Sequence, residues 1–298
     1  MALSDNLRGA ALMTAAMVAF TCNDAFMKAA TVDLPVFQAI VLRGVVTMAA
    51  LAVIALRAGA LRFRLPSSDW QWIGLRTFGE VAGTFTFLLA LKHMPLANLS
   101  AILQFLPLAV TLSAALILRE KVGWRRMSAI MIGFVGVMMI VRPGTEGFDR
   151  WSVLGLLSVS CVVIRDLATR KISTDVPSAT VAFLAAGSVA VGAGLVLPFT
   201  EIAPVTLHHA LQIGGASGFL IVGYLTVVMA MRVGDISIIA PFRYTSLVAA
   251  IILGWVVFHQ LPDSWTLTGA AIVVATGIYT FHRERRLART TAVPPDAA

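Results

Sequence analysis

The chemistry of this 298-residue chain rests on polar and ionisable side chains set inside long apolar stretches: Asn23 and Asp24, Gln38 and Arg43, Arg76 and Glu80, Gln104, Arg165 and Asp166, Tyr224, Arg243 and Tyr244. A charge or amide in hydrocarbon is costly, so each of these must face a partner, a polar cavity or a ligand. Arg43, Arg76, Arg165 and Arg243 stand against three interior carboxylates, Asp24, Glu80 and Asp166, which leaves one positive charge over. A substrate carboxylate or phosphate would balance it, and so would a backbone carbonyl or a lipid head group. Asp24 with Lys28, Arg76 with Glu80 and Asp166 with Arg170 are spaced i, i+4, on one helix face. Each pair reads as a local ion pair; for the first and last the other reading is a gate, with Asn23 and Arg165 as their neighbours. Glu80, if not neutralised by Arg76, is the candidate for proton coupling. Phe20 and Tyr244, with Phe105, Phe242 and Trp255, would wall a site for a ring-bearing solute or simply pack.

These residues need membrane helices to position them. Hydrophobic residues make up 58% of the sequence and charged residues 13%, with a mean hydropathy of +0.87. Soluble domains carry about a quarter charged residues, so this is an integral membrane protein. Ten apolar runs are long enough to cross a bilayer, at about 8–29, 35–56, 71–91, 97–118, 124–141, 152–170, 178–197, 208–230, 236–258 and 265–282. The first run outlasts a cleaved signal's apolar region and ends in Asn23-Asp24, so it reads as a retained span. The tail from 284 to 298 is basic, then Pro-rich, and reads as disordered.

Lys and Arg fall fifteen to four in favour of the side that carries both termini, which places the termini in the cytoplasm of a bacterial inner membrane. The net charge of +8 is spread through short gaps and not gathered on one face, which argues against nucleic acid. At 1.5 Å per residue, Gln104, Glu80, Tyr244, Arg43 and Arg243 converge near the midplane. Asp24 and Asp166 fall nearer opposite surfaces.

The runs form a repeat. Asn23-Asp24 through Pro35 returns 142 residues later as Arg165-Asp166 through Pro177, with Lys28 matched by Arg170 and Asp33 by Asp175. Gly74, Gly83 and Ala90 meet Gly214, Gly223 and Ala230 at an offset of 140, and Trp124 and Gly136 meet Trp265 and Gly277 at 141. Five spans per unit is an odd number, so the second copy enters the bilayer inverted, the arrangement of many secondary transporters. The expected fold is all-α: ten helices in two inverted five-helix repeats, 1–148 and 149–283, around a central cavity.

Phe105-Leu106-Pro107 and Leu118-Arg119-Glu120 in the fourth span, with Pro241-Phe242-Arg243-Tyr244 and Phe258-His259-Gln260 in the ninth, resemble the EamA family of the drug/metabolite transporter superfamily over residues 8–282. The resemblance implies a cavity walled by spans 1 to 4 and 6 to 9, with spans 5 and 10 peripheral, and alternating access without ATP. It implies carriage of small organic metabolites, foremost amino-acid export, with uptake of riboflavin, S-adenosylmethionine or a similar metabolite as the alternative. Gln260 stands where family members often carry an acid. The substrate-binding set read from the residues is Phe20, Gln38, Arg43, Glu80, Gln104, Tyr224, Arg243 and Tyr244.

Other classes find little support. Gly215-Ala216-Ser217-Gly218 resembles the nucleophile motif of rhomboid intramembrane proteases, but all five histidines lie at or near span ends, so a buried general base is lacking. None of the four lysines follows the glycines of a phosphate-binding loop. Cys22 and Cys161 sit in apolar runs and frame neither a disulfide nor a metal site. No cofactor is expected, and a duplicated chain already holds both halves, so a monomer suffices. A membrane scaffold without transport activity is the remaining alternative.

Overall fold

The computed structural model describes residues 3–57, 67–117, 119, 122–144, 149–173, 178–233 and 236–291. Leu118, Glu120, Asp175 and Pro177 of the motifs above lie outside them. Among the described residues every regular element is helical: α1 (Leu3–Ala30), α2 (Val36–Arg57), α3 (Ser67–His93), α4 (Leu96–Leu103), α5 (Leu106–Ile117), α6 (Trp124–Val141), α7 (Arg150–Thr169), α8 (Ser178–Val196), α9 (Leu207–Val233), α10 (Ile236–Ile239), α11 (Thr245–Phe258) and α12 (Ser264–Thr291), with short 3-10 turns at Leu197–Phe199 and Ala240–Tyr244.

These elements make ten spans, because α4 with α5, and α10 with α11, each form one broken crossing. Eight segments among the described residues are long and apolar enough to span a bilayer. The other two crossings are α3, which carries Arg76 and Glu80, and the apolar but shorter α8.

Spans 4 and 9 were expected to be continuous and are not. Pro107 has no N–H to give the Leu103 carbonyl, and the helix turns aside at Gln104-Phe105. Pro241 tightens span 9 into a 3-10 turn at Ala240–Tyr244. The C-terminal tail also departs from expectation: α12 runs on to Thr291, since Arg, Glu, Leu and Ala are strong helix formers that extend a helix already begun. Residues 292–298 of that tail lie outside the described residues.

The packing follows the repeat. The helix α1 packs on α9, and its repeat equivalent α7 packs on α3, while α2 meets α8, α4 meets α11 and α6 meets α12. Every pairing maps onto itself or its mate when the halves are exchanged. One detail shows this at atomic scale. A Cβ on Gly223 would lie 2.6 Å from the ring of Phe20, and one on Gly83 would lie 3.4 Å from Val162, the residue 142 positions after Phe20. Helix backbones come closest where side chains vanish: a Cβ on Gly79 of α3 would lie 2.7 Å from the Cys161 carbonyl oxygen of α7.

The two ends of the bundle differ. At the end opposite the termini, Met27, Leu34, Leu91, Met94, Leu96 and Leu99 are all fully buried side chains. Four polar ties join the loops there. Lys28 Nζ donates to the Leu91 and Met94 carbonyls at 2.8 and 2.6 Å. Gln38 exchanges hydrogen bonds with the backbone of Ala203 at 2.7 and 3.0 Å. His209 lies 3.6 Å from Asp33, and Arg142 pairs with Asp263. This is the closed, distal end of the bundle.

Candidate functional site

Between the halves lies a cavity of about 410 Å³. Its lining comes from spans 1, 2, 3, 4, 6, 7, 8 and 9, while α6 and α12 pack on each other outside it. The distal packing closes one end, and Arg243 and Tyr224 lie on the cavity wall. A second chamber of about 250 Å³ adjoins it, and Met17, Phe20, Asp24, Leu103 and Arg243 line both.

The chamber is built where spans 4 and 9 break. Gln104 Nε2 donates to Ser246 Oγ at 2.8 Å, and that hydroxyl donates to the Arg243 carbonyl at 2.9 Å. The bond joins span 4 to span 9, its counterpart in the other half, across the junction between the halves. Broken helices at such a junction free backbone polar groups where a cavity can use them. Tyr244 is buried, its hydroxyl lodged against Gly277 of α12.

The larger cavity gathers charge. Glu80 lies 3.6 Å from Arg76 and 3.6 Å from Arg165, so its carboxylate neutralises an arginine of its own helix and one from the other half. Arg165 Nε also donates to Asp166 at 2.9 Å. Arg43, buried on α2, donates to Asn23 Oδ1 at 3.3 Å, and Asn23 Nδ2 donates to Asp24 at 2.9 Å. The Phe20 and Tyr224 rings meet edge to face at 5.5 Å on the wall.

Of the residues read from sequence, the structure brings Phe20, Asn23, Asp24, Arg43, Glu80, Arg165, Tyr224 and Arg243 to the large cavity and Gln104 and Tyr244 to the adjoining chamber. Four fall elsewhere. Gln38 lies outside both chambers, spent on the Ala203 backbone. Lys28 does not pair with Asp24: the Leu91 carbonyl would bond residue 95, which is a proline without an N–H, and the ammonium takes its place. Asp166 bonds Arg165 without lining the cavity, and Arg170 is exposed at the end of α7. Asp24 lies about 9 Å in from the end of α1 at 1.5 Å per residue and lines both chambers. Sequence reasoning missed Ser246, Leu103 and Phe87. A lone serine and two apolar residues carry no signal of their own.

The serine of the protease-like motif is committed to structure: Ser217 is buried and its hydroxyl donates to the Arg43 carbonyl at 3.4 Å. Of the two histidines on the same helix, His209 is tied to Thr206 and Asp33 and His208 bonds Gln212, both near the helix start. Among the described residues no cluster of His, Cys, Asp and Glu is suited to hold a metal.

Fold and site together define a membrane carrier of the inverted-repeat class, with a polar pocket at the junction of its halves. The match to the EamA-like transporter family covers residues 7–142 and again 149–281, and the chain belongs to that family. It is 30% identical to a riboflavin transporter of Vibrio cholerae, over 78% of this chain and 79% of that one. It is 25% identical to an S-adenosylmethionine uptake transporter of Rickettsia conorii, over 70% and 69% of the two chains. A pseudopaline exporter of Pseudomonas aeruginosa is 25% identical over 91% and 94%. A solved crystal structure shares the fold, with a TM-score of 0.62 at 21% identity over 94% of this chain and 98% of that one. The chain is thus a multi-span transporter of a bacterial-type family, and its relatives carry small molecules.

Proposed function

We propose that the chain is a secondary carrier for the uptake of a ring-bearing metabolite of cofactor size, moved without ATP as the two halves rock about the central cavity. The observation that carries this reading is the pocket between the halves, ringed by eight spans and adjoined by the chamber that holds the Gln104–Ser246 hydrogen bond. Its volume of about 410 Å³ falls in the range of sites for drug-sized ligands. That size favours a flavin or adenosyl compound over the simple amino acid of the first expectation, and the riboflavin and S-adenosylmethionine carriers among the relatives support the same choice. In this arrangement the distal end is shut and the cavity meets the side of the termini, which the Lys and Arg distribution assigns to the cytoplasm of an inner membrane. Access would alternate when the distal ties break and the α3–α7 and α1–α9 contacts near the termini close further. Glu80 serves as counter-ion to two arginines, so substrate movement is not tied to its protonation.

Proteoliposomes loaded with unlabelled compound and offered labelled riboflavin or S-adenosylmethionine will show counterflow. Arg243→Ala and Gln104→Ala will abolish it while leaving folded protein in the membrane. Counterflow of neither compound, with intact protein, refutes the reading.

A further inference from the structure

The two peripheral helices, α6 from the first repeat and α12 from the second, pack on each other and turn apolar side chains such as Ile132, Phe134 and Val135 outward. They come closest where side chains vanish: a Cβ on Gly136 would lie 2.8 Å from the Gly269 carbonyl oxygen. Toward the termini the contact opens into a groove of about 440 Å³, whose lining includes Trp124, Arg125, Ser128 and Ile132 of α6 and Ala275 and Tyr279 of α12. Among the described residues it shares no lining residue with the central cavity or its adjoining chamber, so it stands apart from the cargo site.

The groove is polar at its mouth and apolar further in. Trp124 is 74% exposed and Tyr279 46%, the placing of aromatic rings at a membrane–water interface. Ile132 lies about 12 Å deeper than Trp124 along α6, and Ala275 about 6 Å deeper than Tyr279 along α12. Two of the polar lining groups are committed: Ser128 Oγ donates to the Trp124 carbonyl at 3.0 Å and Thr276 Oγ1 to the Ile272 carbonyl at 2.8 Å. The other two are not. Arg125 lies over the Trp124 ring, 5.3 Å from its centroid, and neither its guanidinium nor the Tyr279 hydroxyl makes a hydrogen bond or ion pair among the described residues.

The neighbouring sequence repeats the sign. Residues 119–126 hold four basic side chains and one acidic, and residues 283–289 again four and one. A bare cation at the mouth of an apolar trough matches an amphiphile with an anionic head, and basic pockets between membrane helices are where anionic lipid head groups settle. A second copy docked on this face would set arginine against arginine, and a soluble anion would leave the apolar floor uncovered.

We propose that the α6–α12 groove holds one anionic phospholipid of the leaflet on the side of the termini, its phosphate against Arg125 and the Tyr279 hydroxyl and an acyl chain along Ala275 and Ile132. The guanidinium presents forked donors that match phosphate oxygens, and its stacking on Trp124 keeps it at the mouth. Because each repeat supplies one wall, the lipid bridges the two halves along a seam away from the cargo.

The test is tryptophan quenching in the full chain reconstituted into phosphatidylcholine vesicles that carry a brominated phospholipid. The chain has six tryptophans, so the Trp124 signal is the difference between the native protein and Trp124→Phe, and every other variant is read the same way. Brominated phosphatidylglycerol will quench Trp124 at a mole fraction about fivefold lower than brominated phosphatidylcholine, the worth of one basic side chain beside anionic lipid. Arg125→Gln will bring the two lipids level and Arg125→Lys will keep part of the preference. Ala275→Phe, which fills the groove from an exposed position without touching a charge, will weaken quenching by both. Arg232→Gln, at an exposed arginine in the last turn of α9, will leave the preference intact; an equal loss there would mean general surface charge and overturn the proposal. Equal quenching by the two lipids in native protein, a preference that survives in Arg125→Gln, or relief of quenching by soluble glycerol phosphate would overturn it as well.

Discussion

Replacing Lys28 with Met should unlock the distal end. Lys28 is 7% exposed, and its ammonium spans from α1 to the Leu91 and Met94 carbonyls at 2.8 and 2.6 Å, lying 5.6 Å from the Phe258 ring of α11. The Leu91 carbonyl has no helical partner because residue 95 is proline, so the ammonium both caps α3 and ties it to α1. Hydrogen bonds to a charged group are worth about 1.5–3 kcal/mol each. Met fills similar volume but bonds neither carbonyl, so the closed distal end loses about 3 kcal/mol at the lower bound. In an open distal end water would serve the same groups, so the loss falls on the closed state. At 1.4 kcal/mol per decade the ratio of open to closed moves by about 10². The assay is the rate at which a hydrophilic maleimide labels Leu34→Cys, whose parent side chain is fully buried at this end, with Cys22 and Cys161 replaced by Ala. Labelling of the Lys28→Met protein should accelerate at least 10-fold, and substrate counterflow should fall as the closed state becomes scarce. An unchanged labelling rate in folded protein would refute the claim that this ammonium holds the distal end shut.

Three further outcomes follow from the packing and charges. Glu80→Gln leaves Arg76 and Arg165 facing each other across α3 and α7, so thermal unfolding of the purified protein should drop as for loss of a buried partner, about 3–5 kcal/mol; a stable variant whose transport loses its dependence on a pH gradient would restore Glu80 as a proton carrier. Gly79→Ala places a methyl 2.7 Å from the Cys161 carbonyl oxygen and 2.8 Å from the Arg165 amide nitrogen, both backbone, and should lower thermal stability by at least the 1–3 kcal/mol of an overpacked core, seen as reduced yield and melting temperature. At the distal surface, Asp263 takes hydrogen bonds from the Thr266 N–H, capping α12, and from Arg142. Its partial burial alone would raise its carboxyl, but those bonds outweigh it and hold the group below the ordinary carboxylate range. A depressed carboxyl contributes stability above its unfolded value of about 3.9 and loses it as pH falls through the folded one. The melting difference between native and Asp263→Asn should therefore be constant from pH 5 to 8 and shrink below about pH 4; a difference that changes between pH 6 and 8 would contradict this.

Much of the site was legible because charge inside an apolar run has few explanations. Arg43, Glu80, Gln104, Arg243 and Tyr244 stand out by type, and counting along the helices brings them to one depth. Gln38 and Lys28 stand out equally by type, yet they serve backbone carbonyls and amides of distant loops, and a main-chain partner leaves no mark on composition or spacing. The Asp24–Lys28 spacing suits an ion pair, but an i, i+4 contact in a membrane is decided by which competing acceptor the ammonium reaches, and here Pro95 had left one open.

The sequence by itself determined the number of crossings, the duplication and the inversion, since each depends only on hydropathy, an odd count and a constant offset. It also determined that positive charge exceeds negative among the spans. Tertiary structure decided which charges meet: Glu80 is claimed by an arginine from each half, Arg43 and Asp24 are joined through Asn23, and Arg243 lines the cavity. That choice depends on how α3 approaches α7 at Gly79 and how spans 4 and 9 bend at their prolines, because which charges neutralise each other is set by distances of a few ångströms.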